Sequence, residues 1–318
     1  MIVNKWKVLV TGIGGDIGQS VLKCLKDINC NYHLIGCDVD SFAAGRELVE
    51  KFYQAPLVKD SERYFDFVTK IFDEEDIVYV FPITEVEIEF FDKYRDYFKN
   101  VTVFINKHDI IVTFLDKHET VEFLKCNNLA YPKTYLIENY DNELEYPFLL
   151  KPRKGCGSKG LLVVNDAEEF NYLRERTKNY IVQEIAGAED EEYTATVFST
   201  GKQIHSIVFK RSLGYGSLSK VAQLIQDEQI QTLAGEIAIA ASLEGSLNIQ
   251  CRKTDSGYIP FEVNPRFSST VYTRHFFGFQ DVKWWLDLKE GKTIEYVPKY
   301  REGTAVRTIG ETFFDLRS

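Results

Sequence analysis

Two stretches, Leu247-Asn-Ile-Gln250 and Tyr258-Ile-Pro-Phe-Glu-Val-Asn-Pro-Arg266, decide how the chain is read. Both are largely apolar, and Asp255-Ser-Gly257 lies between them as a turn signal, so the pair predicts a β-hairpin. In an extended strand residues two apart share a face. Glu262 and Asn264 therefore point together, and Gln250 on the paired strand joins them. One carboxylate with amide oxygens is a hard-oxygen donor set, suited to a Mg²⁺ that also holds phosphates. Arg266 follows at once, and its planar fork matches phosphate oxygens. Taken alone, an ordinary edge hairpin with a polar face accounts for the same residues.

Upstream, Tyr146-Pro-Phe-Leu-Leu-Lys-Pro-Arg-Lys-Gly-Cys-Gly-Ser-Lys-Gly-Leu-Leu-Val-Val164 places two apolar strands around a glycine-rich loop. The loop holds Gly155, Gly157, Ser158 and Gly160, with Lys151, Arg153, Lys154 and Lys159 around it. GxxxxGK[ST] is absent, and a strand rather than a helix follows. Backbone amides of such a hairpin can fold over a polyphosphate; a surface hairpin with solvated lysines is the competing reading. Lys151, embedded in an apolar strand, favours the first. Tyr180-Ile-Val-Gln-Glu-Ile-Ala-Gly187 then reads as a strand ending in a turn, followed by a strand at Glu192–Phe198. Before the hairpin, a linker is expected at Asn106–Asp109 and an amphipathic helix at Phe114–Leu124. That helix carries Lys117 near its start, an unfavourable place for a cation in the helix dipole. Lys117 is either compensated by Asp116 and Glu119 or positioned for an anion.

The first third has strand, glycine turn, helix, strand: Lys7–Val10, Thr11-Gly-Ile-Gly-Gly-Asp-Ile-Gly18, a helix from about Gln19 to Asp27, and Leu34–Cys37 ending in Asp38. A helix around Glu62–Phe72 and strands at Ile77–Phe81 and Val101–Ile105 continue a Rossmann-like unit. The glycine spacing also matches extended short-chain dehydrogenases, which need a Tyr with a Lys four residues on. None of the 18 tyrosines has one; Tyr172 comes nearest, with Arg176. Whether these glycines meet a ligand or only allow close strand–helix packing is left open by the sequence.

Bulk properties bound the rest. At 318 residues the chain suits two or three packed units, and 44% hydrophobic with 27% charged residues is an ordinary globular balance. A formal net charge of -10 argues against a general nucleic-acid binder. Six cysteines, at 24, 30, 37, 126, 156 and 251, form no CxxC pair or Cys/His cluster. They fit a reducing, cytoplasmic setting without zinc. Gly12 interrupts the N-terminal apolar run, and no stretch approaches the roughly 20 apolar residues that span a bilayer. A secretory signal and a membrane partner are therefore not expected.

Together these pieces resemble the ATP-grasp superfamily, and within it a half of the carbamoyl-phosphate synthetase large subunit. The resemblance covers nearly the whole chain. It implies an α/β fold, α+β in its C-terminal part, with a Rossmann-like domain over residues 1–107. Small ATP-grasp subdomains with the glycine-rich lid would span 108–185, and a C-terminal subdomain with the metal site 186–318. It implies ATP and Mg²⁺, or Mn²⁺ in its place. Lys117, Lys151 and Arg153 would contact phosphates beneath a lid of Gly155, Gly157, Ser158, Lys159 and Gly160. The Gln183-Glu184-Ile185 hinge would meet adenine, and Glu192 the ribose, with Glu189 as a rival because three extra residues follow Gly187. Gln250, Glu262 and Asn264 would hold the metal. Arg266 would face the transferred phosphate. Lys210 and Arg211, near a loop with Gly214 and Gly216, are candidates for a substrate carboxylate or the γ-phosphate. Thr196 stands where relatives often have an acid.

A single unit without an ammonia source implies a stand-alone carboxylate–amine, or carboxylate–thiol, ligase acting through an acyl phosphate. A carbamoyl-phosphate-type enzyme or small-molecule kinase, and a non-catalytic nucleotide-binding protein, are the alternatives. The partners implied are a small carboxylate and an amine; a homodimer stays open. Asp38, Thr84, Glu85 and Glu87 are expected near the carboxylate pocket.

Overall fold

The computed structural model describes residues 6–28, 31–155, 157–214, 218–308, 310–312 and 314. Cys30, Cys156 and Gly216 lie outside them. The chain divides into two compact units.

The first unit is built on a parallel sheet. Its elements in order are β1 (Trp6–Thr11), α1 (Asp16–Ile28), β2 (Tyr32–Asp38), β3 (Lys51–Gln54), α2 (Ser61–Glu75), β4 (Tyr79–Phe81), α3 (Glu85–Lys93) and β5 (Thr102–Val103). The strand order is β3-β2-β1-β4-β5, every neighbouring pair parallel. Val8, Leu9 and Val10 are fully buried, as a central parallel strand covered on both faces requires. Gly18 explains the glycine turn: a Cβ there would lie 2.4 Å from the Gly12 carbonyl oxygen. Only glycine lets α1 approach its own turn this closely. The turn also engages the acid at the end of β2, since the Gly14 amide donates to Asp38 at 2.7 Å. At the start of α3, Thr84 and Glu87 form a reciprocal capping box. The buried Glu87 carboxyl also accepts from Tyr64 at 3.0 Å, and desolvation raises its pKa.

The second unit starts one residue after Asn106. The expected linker is instead the entry to a helix, α4 (His108–Phe114), and the single helix expected over Phe114–Leu124 is two. Leu115 ends α4. Asp116 then caps α5 (Lys117–Cys126), its carboxylate accepting from the His118 and Glu119 amides. A four-stranded antiparallel sheet follows, from β6 (Thr134–Leu136), β7 (Phe148–Pro152), β8 (Leu162–Val164) and β9 (Tyr180–Glu184), with α6 (Ala167–Arg174) between the last two. Its order is β6-β9-β7-β8. Tyr140, Phe148, Leu150, Val164, Phe170 and Val182 make its core.

A larger antiparallel sheet, β14-β13-β10-β11-β12-β15, comprises β10 (Glu192–Thr200), β11 (Ile204–Leu213), β12 (Ser219–Ile225), β13 (Glu244–Thr254), β14 (Gly257–Asn264) and the later β15 (Thr304–Val306). Helix α7 (Glu228–Ala240) covers one face. There Tyr193, Ala195, Val197, Val208, Ile249 and Cys251 pack against Ile230, Ala234 and Ile237. Period-two alternation puts the intervening polar residues on the opposite face.

After Pro265 the chain rejoins the first unit over Arg266–Tyr300 and again from Arg307, whereas the sequence reading assigned all of 186–318 to one subdomain. Here α8 (Val271–Phe276) and α9 (Asp281–Lys289) pack on α1. A buried ion pair fastens them: Arg274, fully buried, donates to both oxygens of Asp281 at 3.0 and 2.7 Å. Ser268 and Thr270 accept from its Nη1 at 2.9 and 3.3 Å. No helix among the described residues is long and apolar enough to cross a membrane.

Candidate functional site

The polar face of the six-stranded sheet gathers its side chains by register. Thr194 pairs with Gln250 and Thr196 with Asn248 across β10–β13. Asn248 pairs with Asn264 and Gln250 with Glu262 across β13–β14. Paired residues share a face, so the Asn248-x-Gln250 and Glu262-x-Asn264 motifs converge as the hairpin reading required. Glu262 Oε1 accepts from the Asn264 amide at 2.9 Å and from the Gln250 amide at 3.5 Å. The Gln250 oxygen is turned the other way and accepts from Arg211. Asn248 Oδ1 accepts from the hydroxyls of Thr194 at 2.8 Å and Thr196 at 3.4 Å.

Glu192 closes one end of this face. Arg211 donates to its Oε1 at 3.0 and 2.6 Å, and Arg252 to its Oε2 at 3.3 Å. A β-bulge between Gln250 and Cys251 leaves Phe261 as the extra residue of β14. Its ring thereby joins the polar side chains: Lys151 Nζ stands 5.2 Å and the Arg252 guanidinium 5.8 Å from its centroid. Lys151 also donates to Gln183 at 2.6 Å, and Gln183 to Thr134 at 3.0 Å. Next to this cluster, the Lys117 amide donates to the Arg153 carbonyl at 2.9 Å, and its ammonium to the Gly155 carbonyl at 2.7 Å. The result is a concentration of cations, Lys117, Lys151, Arg211 and Arg252, around the Glu192 and Glu262 carboxylates, beside a glycine hairpin.

A family model described as an ATP-grasp domain matches residues 114–270, and one described as a PylC-like N-terminal domain matches residues 8–105. The chain belongs to the ATP-grasp superfamily. It is 24% identical over 303 residues to the carbamoyl phosphate synthase large chain of Clostridium beijerinckii, covering 85% of this chain but 28% of that one. The chain thus spans little more than a quarter of the curated relatives it matches. Among solved structures, the biotin carboxylase domain of Hydrogenobacter thermophilus 2-oxoglutarate carboxylase, in complex with MgADP, ADP and bicarbonate, aligns with a TM-score of 0.75 at 16% identity, covering 92% of this chain and 71% of that one. L-amino acid ligase from Bacillus licheniformis aligns at 0.71 and 16%, covering 90% and 75%. N5-carboxyaminoimidazole ribonucleotide synthetase from Thermotoga maritima aligns at 0.69 and 18%, covering 92% and 77%.

Not every residue expected in the site of this ATP-grasp enzyme stands there. Lys210 and Arg211 are consecutive in β11 and so face opposite ways. Lys210 pairs with Tyr193 in register, on the α7 side, and its ammonium binds Glu191. Only Arg211 belongs to the polar face. Arg153 is engaged structurally: its guanidinium holds Asp116 at 2.8 Å and Glu119 at 3.2 Å. These two acids therefore pair with Arg153 and not with Lys117. The Glu184 carboxylate accepts from the Lys133 amide at 2.7 Å, while Ile185 and the rival Glu189 are exposed. Arg266 donates to Glu85 at 3.0 and 3.2 Å within the first unit. In the hairpin, Gly155, Gly157, Ser158 and Gly160 all have positive φ. A Cβ at Gly155 or Gly157 would meet nothing within 4 Å, but one at Gly160 would lie 2.8 Å from the Tyr180 hydroxyl. Lys159 is exposed.

Sequence reading missed Arg252 and Phe261. Arg252 was findable, since it follows Gln250 by two residues and so shares its face. Phe261 was not, because strict alternation puts it opposite Glu262 and only the bulge returns it.

Burial pushes the Lys151 amine down to about 8 from an ordinary 10.5; Glu262 counteracts this, while Lys117 and Arg252 add to it. The folded pKa lies below the unfolded one, so between these values the unfolded chain binds the extra proton. Stability relative to Lys151→Met is expected to rise with pH from about 8 towards 10.5. Urea unfolding of both proteins across that range reads the difference. A flat difference would place the amine at its ordinary value.

Proposed function

We propose that this ATP-grasp enzyme is a carboxylate–amine ligase that activates its acid as an acyl phosphate. The observation that carries the reading is the convergence of Lys151, Arg211 and the Glu262–Asn264 strand on one polar face beside the glycine hairpin. Cations there suit polyphosphate, and one carboxylate with an amide oxygen suits a hard divalent ion. Lys117 and Lys151 contact phosphates, and the amides of Gly155, Gly157, Ser158, Lys159 and Gly160 close over them. Backbone groups at Glu184 and Ile185 meet adenine. Glu192, whose two oxygens offer about four lone-pair sites, keeps capacity for a ribose hydroxyl beside its two arginines. Glu262 and Asn264 fit Mg²⁺, which when bound neutralises the charge between the β- and γ-phosphates.

In the first step a carboxylate oxygen attacks the γ-phosphorus, the bond to the bridging oxygen breaks, and ADP leaves. In the second an amine attacks the acyl carbon; phosphate departs and the amine loses a proton, giving an amide. A closed hairpin keeps water from the acyl phosphate.

The test is ADP and phosphate formation across a panel of small acids, each with and without amines. Bicarbonate with ammonia is included because the curated relatives are named carbamoyl phosphate synthase large chains. Turnover that needs both an acid and an amine supports the ligase. A stable phosphorylated acid without amine dependence would make it a kinase, and nucleotide binding with no turnover a non-catalytic protein.

The hairpin has its own expected outcome. Trypsin is expected to cut after Lys154 or Lys159, and not after Arg153, which Asp116 and Glu119 hold. Mg·ATP should slow that cleavage by about tenfold or more, because proteolysis follows the population of open chain. Equal rates would mean that the hairpin does not close on nucleotide.

A further inference from the structure

Gln250 was expected among the metal ligands, yet its side-chain oxygen accepts from the Arg211 guanidinium, which sets a positive charge where a second cation would bind. Arg211 is not a loose surface cation. Its side chain is 7% exposed, and Glu192 takes two of its donors. The sheet builds this clamp, since β10 lies between β11 and β13 and brings Arg211, Glu192 and Gln250 together on one face. The Gln250 amide nitrogen points towards Glu262 Oε1, which the Asn264 amide also occupies. This leaves Glu262 Oε2 and Asn264 Oδ1 as the pair of oxygens turned away from these bonds.

Charge points the same way. Thr194 and Thr196, on the same face, present hydroxyls bound to Asn248 and no carboxylate. Glu192 is matched by Arg211 and Arg252. A second divalent ion at Gln250 would sit against the Arg211 guanidinium, with one carboxylate shared between two metals.

We propose that the nucleotide site takes a single divalent cation, on the free oxygen of Glu262 and the amide oxygen of Asn264, and that the Arg211 guanidinium, clamped between Glu192 and Gln250, fills the place of a second. This rests on the nucleotide-binding reading above. Arg211 acts as a fixed positive charge towards the β/γ-phosphates, and Gln250 positions it.

The experiment counts Mn²⁺ bound per bound nucleotide, by the electron paramagnetic resonance signal of free Mn²⁺, with a non-hydrolysable ATP analogue whose own binding is read separately by calorimetry. One Mn²⁺ per nucleotide is expected in the native protein, and one in Gln250→Ala with Mn²⁺ affinity within about twofold. Arg211→Gln frees the Gln250 oxygen and removes the charge, so a second Mn²⁺ is expected. Arg211→Lys, which keeps a charge, should hold the count at one and guards against a misfolded glutamine variant. Two Mn²⁺ per nucleotide in the native protein, or a tenfold loss of Mn²⁺ affinity in Gln250→Ala, would overturn the inference. Failure of the analogue to bind at all overturns the nucleotide site itself, and this inference with it.

Discussion

Glu262→Gln is expected to slow ATP turnover by at least about 10²-fold while leaving ADP affinity within a few-fold. Of Gln250, Glu262 and Asn264, Glu262 alone carries a formal charge. The substitution keeps its size and one acceptor oxygen, so the β13–β14 pairing should survive. What is lost is the charge that offsets the divalent ion as negative charge shifts between phosphates. The amides of Asn264 and Gln250 already point at this carboxylate; a glutamine there must either keep an oxygen towards them or face them with its own donors. Adenine and ribose contacts are assigned elsewhere, near Glu184 and Glu192, so binding and chemistry should separate. ADP formation with an accepting acid, measured beside ADP affinity, reads both. Near-native turnover with unchanged Mg²⁺ dependence would show that this hairpin is structural and the metal lies elsewhere.

The largest stability effect is expected at Arg274. It is fully buried, its partner Asp281 nearly so, and its guanidinium donates to Asp281, Ser268 and Thr270. Arg274→Met leaves a buried carboxylate without its counter-charge, a loss of about 3–5 kcal/mol. A typical domain has about 5–15 kcal/mol in all, so the variant should approach the edge of folding. Replacing both partners, Arg274→Met with Asp281→Leu, removes the buried carboxylate as well and should recover much of the loss. Urea unfolding of the three proteins measures this. A single variant as stable as the native protein would mean that the pair contributes little.

The sequence revealed the fold where local signals agreed. Gly18 and Asp38 marked the first strand–turn–helix, and Glu262-x-Asn264 with Asn248-x-Gln250 marked the hairpin proposed to carry the site, because alternation in strands is a local property. Three things were hidden. Arg153, reaching Asp116 from 37 residues away, pairs the acid that caps α5 with a cation no local pattern announces. The clamp on Arg211 depends on β10 pairing with β13 as well as with its hairpin partner β11, and β13 is distant in the sequence. The position of Phe261 depends on a bulge, which shifts a side chain across the sheet without changing composition. Lys210 shows the same limit from the other side: a basic pair reads as one feature until the strand separates its members.

The return of α8 and α9 to the first unit has a consequence for how the protein is made. Cys24 on α1 contacts the Val271 carbonyl, 247 positions later. During synthesis the first hundred residues emerge with their parallel sheet strands already present, yet the surface of α1 that α8 and α9 cover stays bare until the residues beyond Val271 have left the ribosome. Long-range closure of this kind is slow and leaves apolar surface exposed meanwhile. A chain cut short before Val271 should therefore expose that surface of α1 permanently.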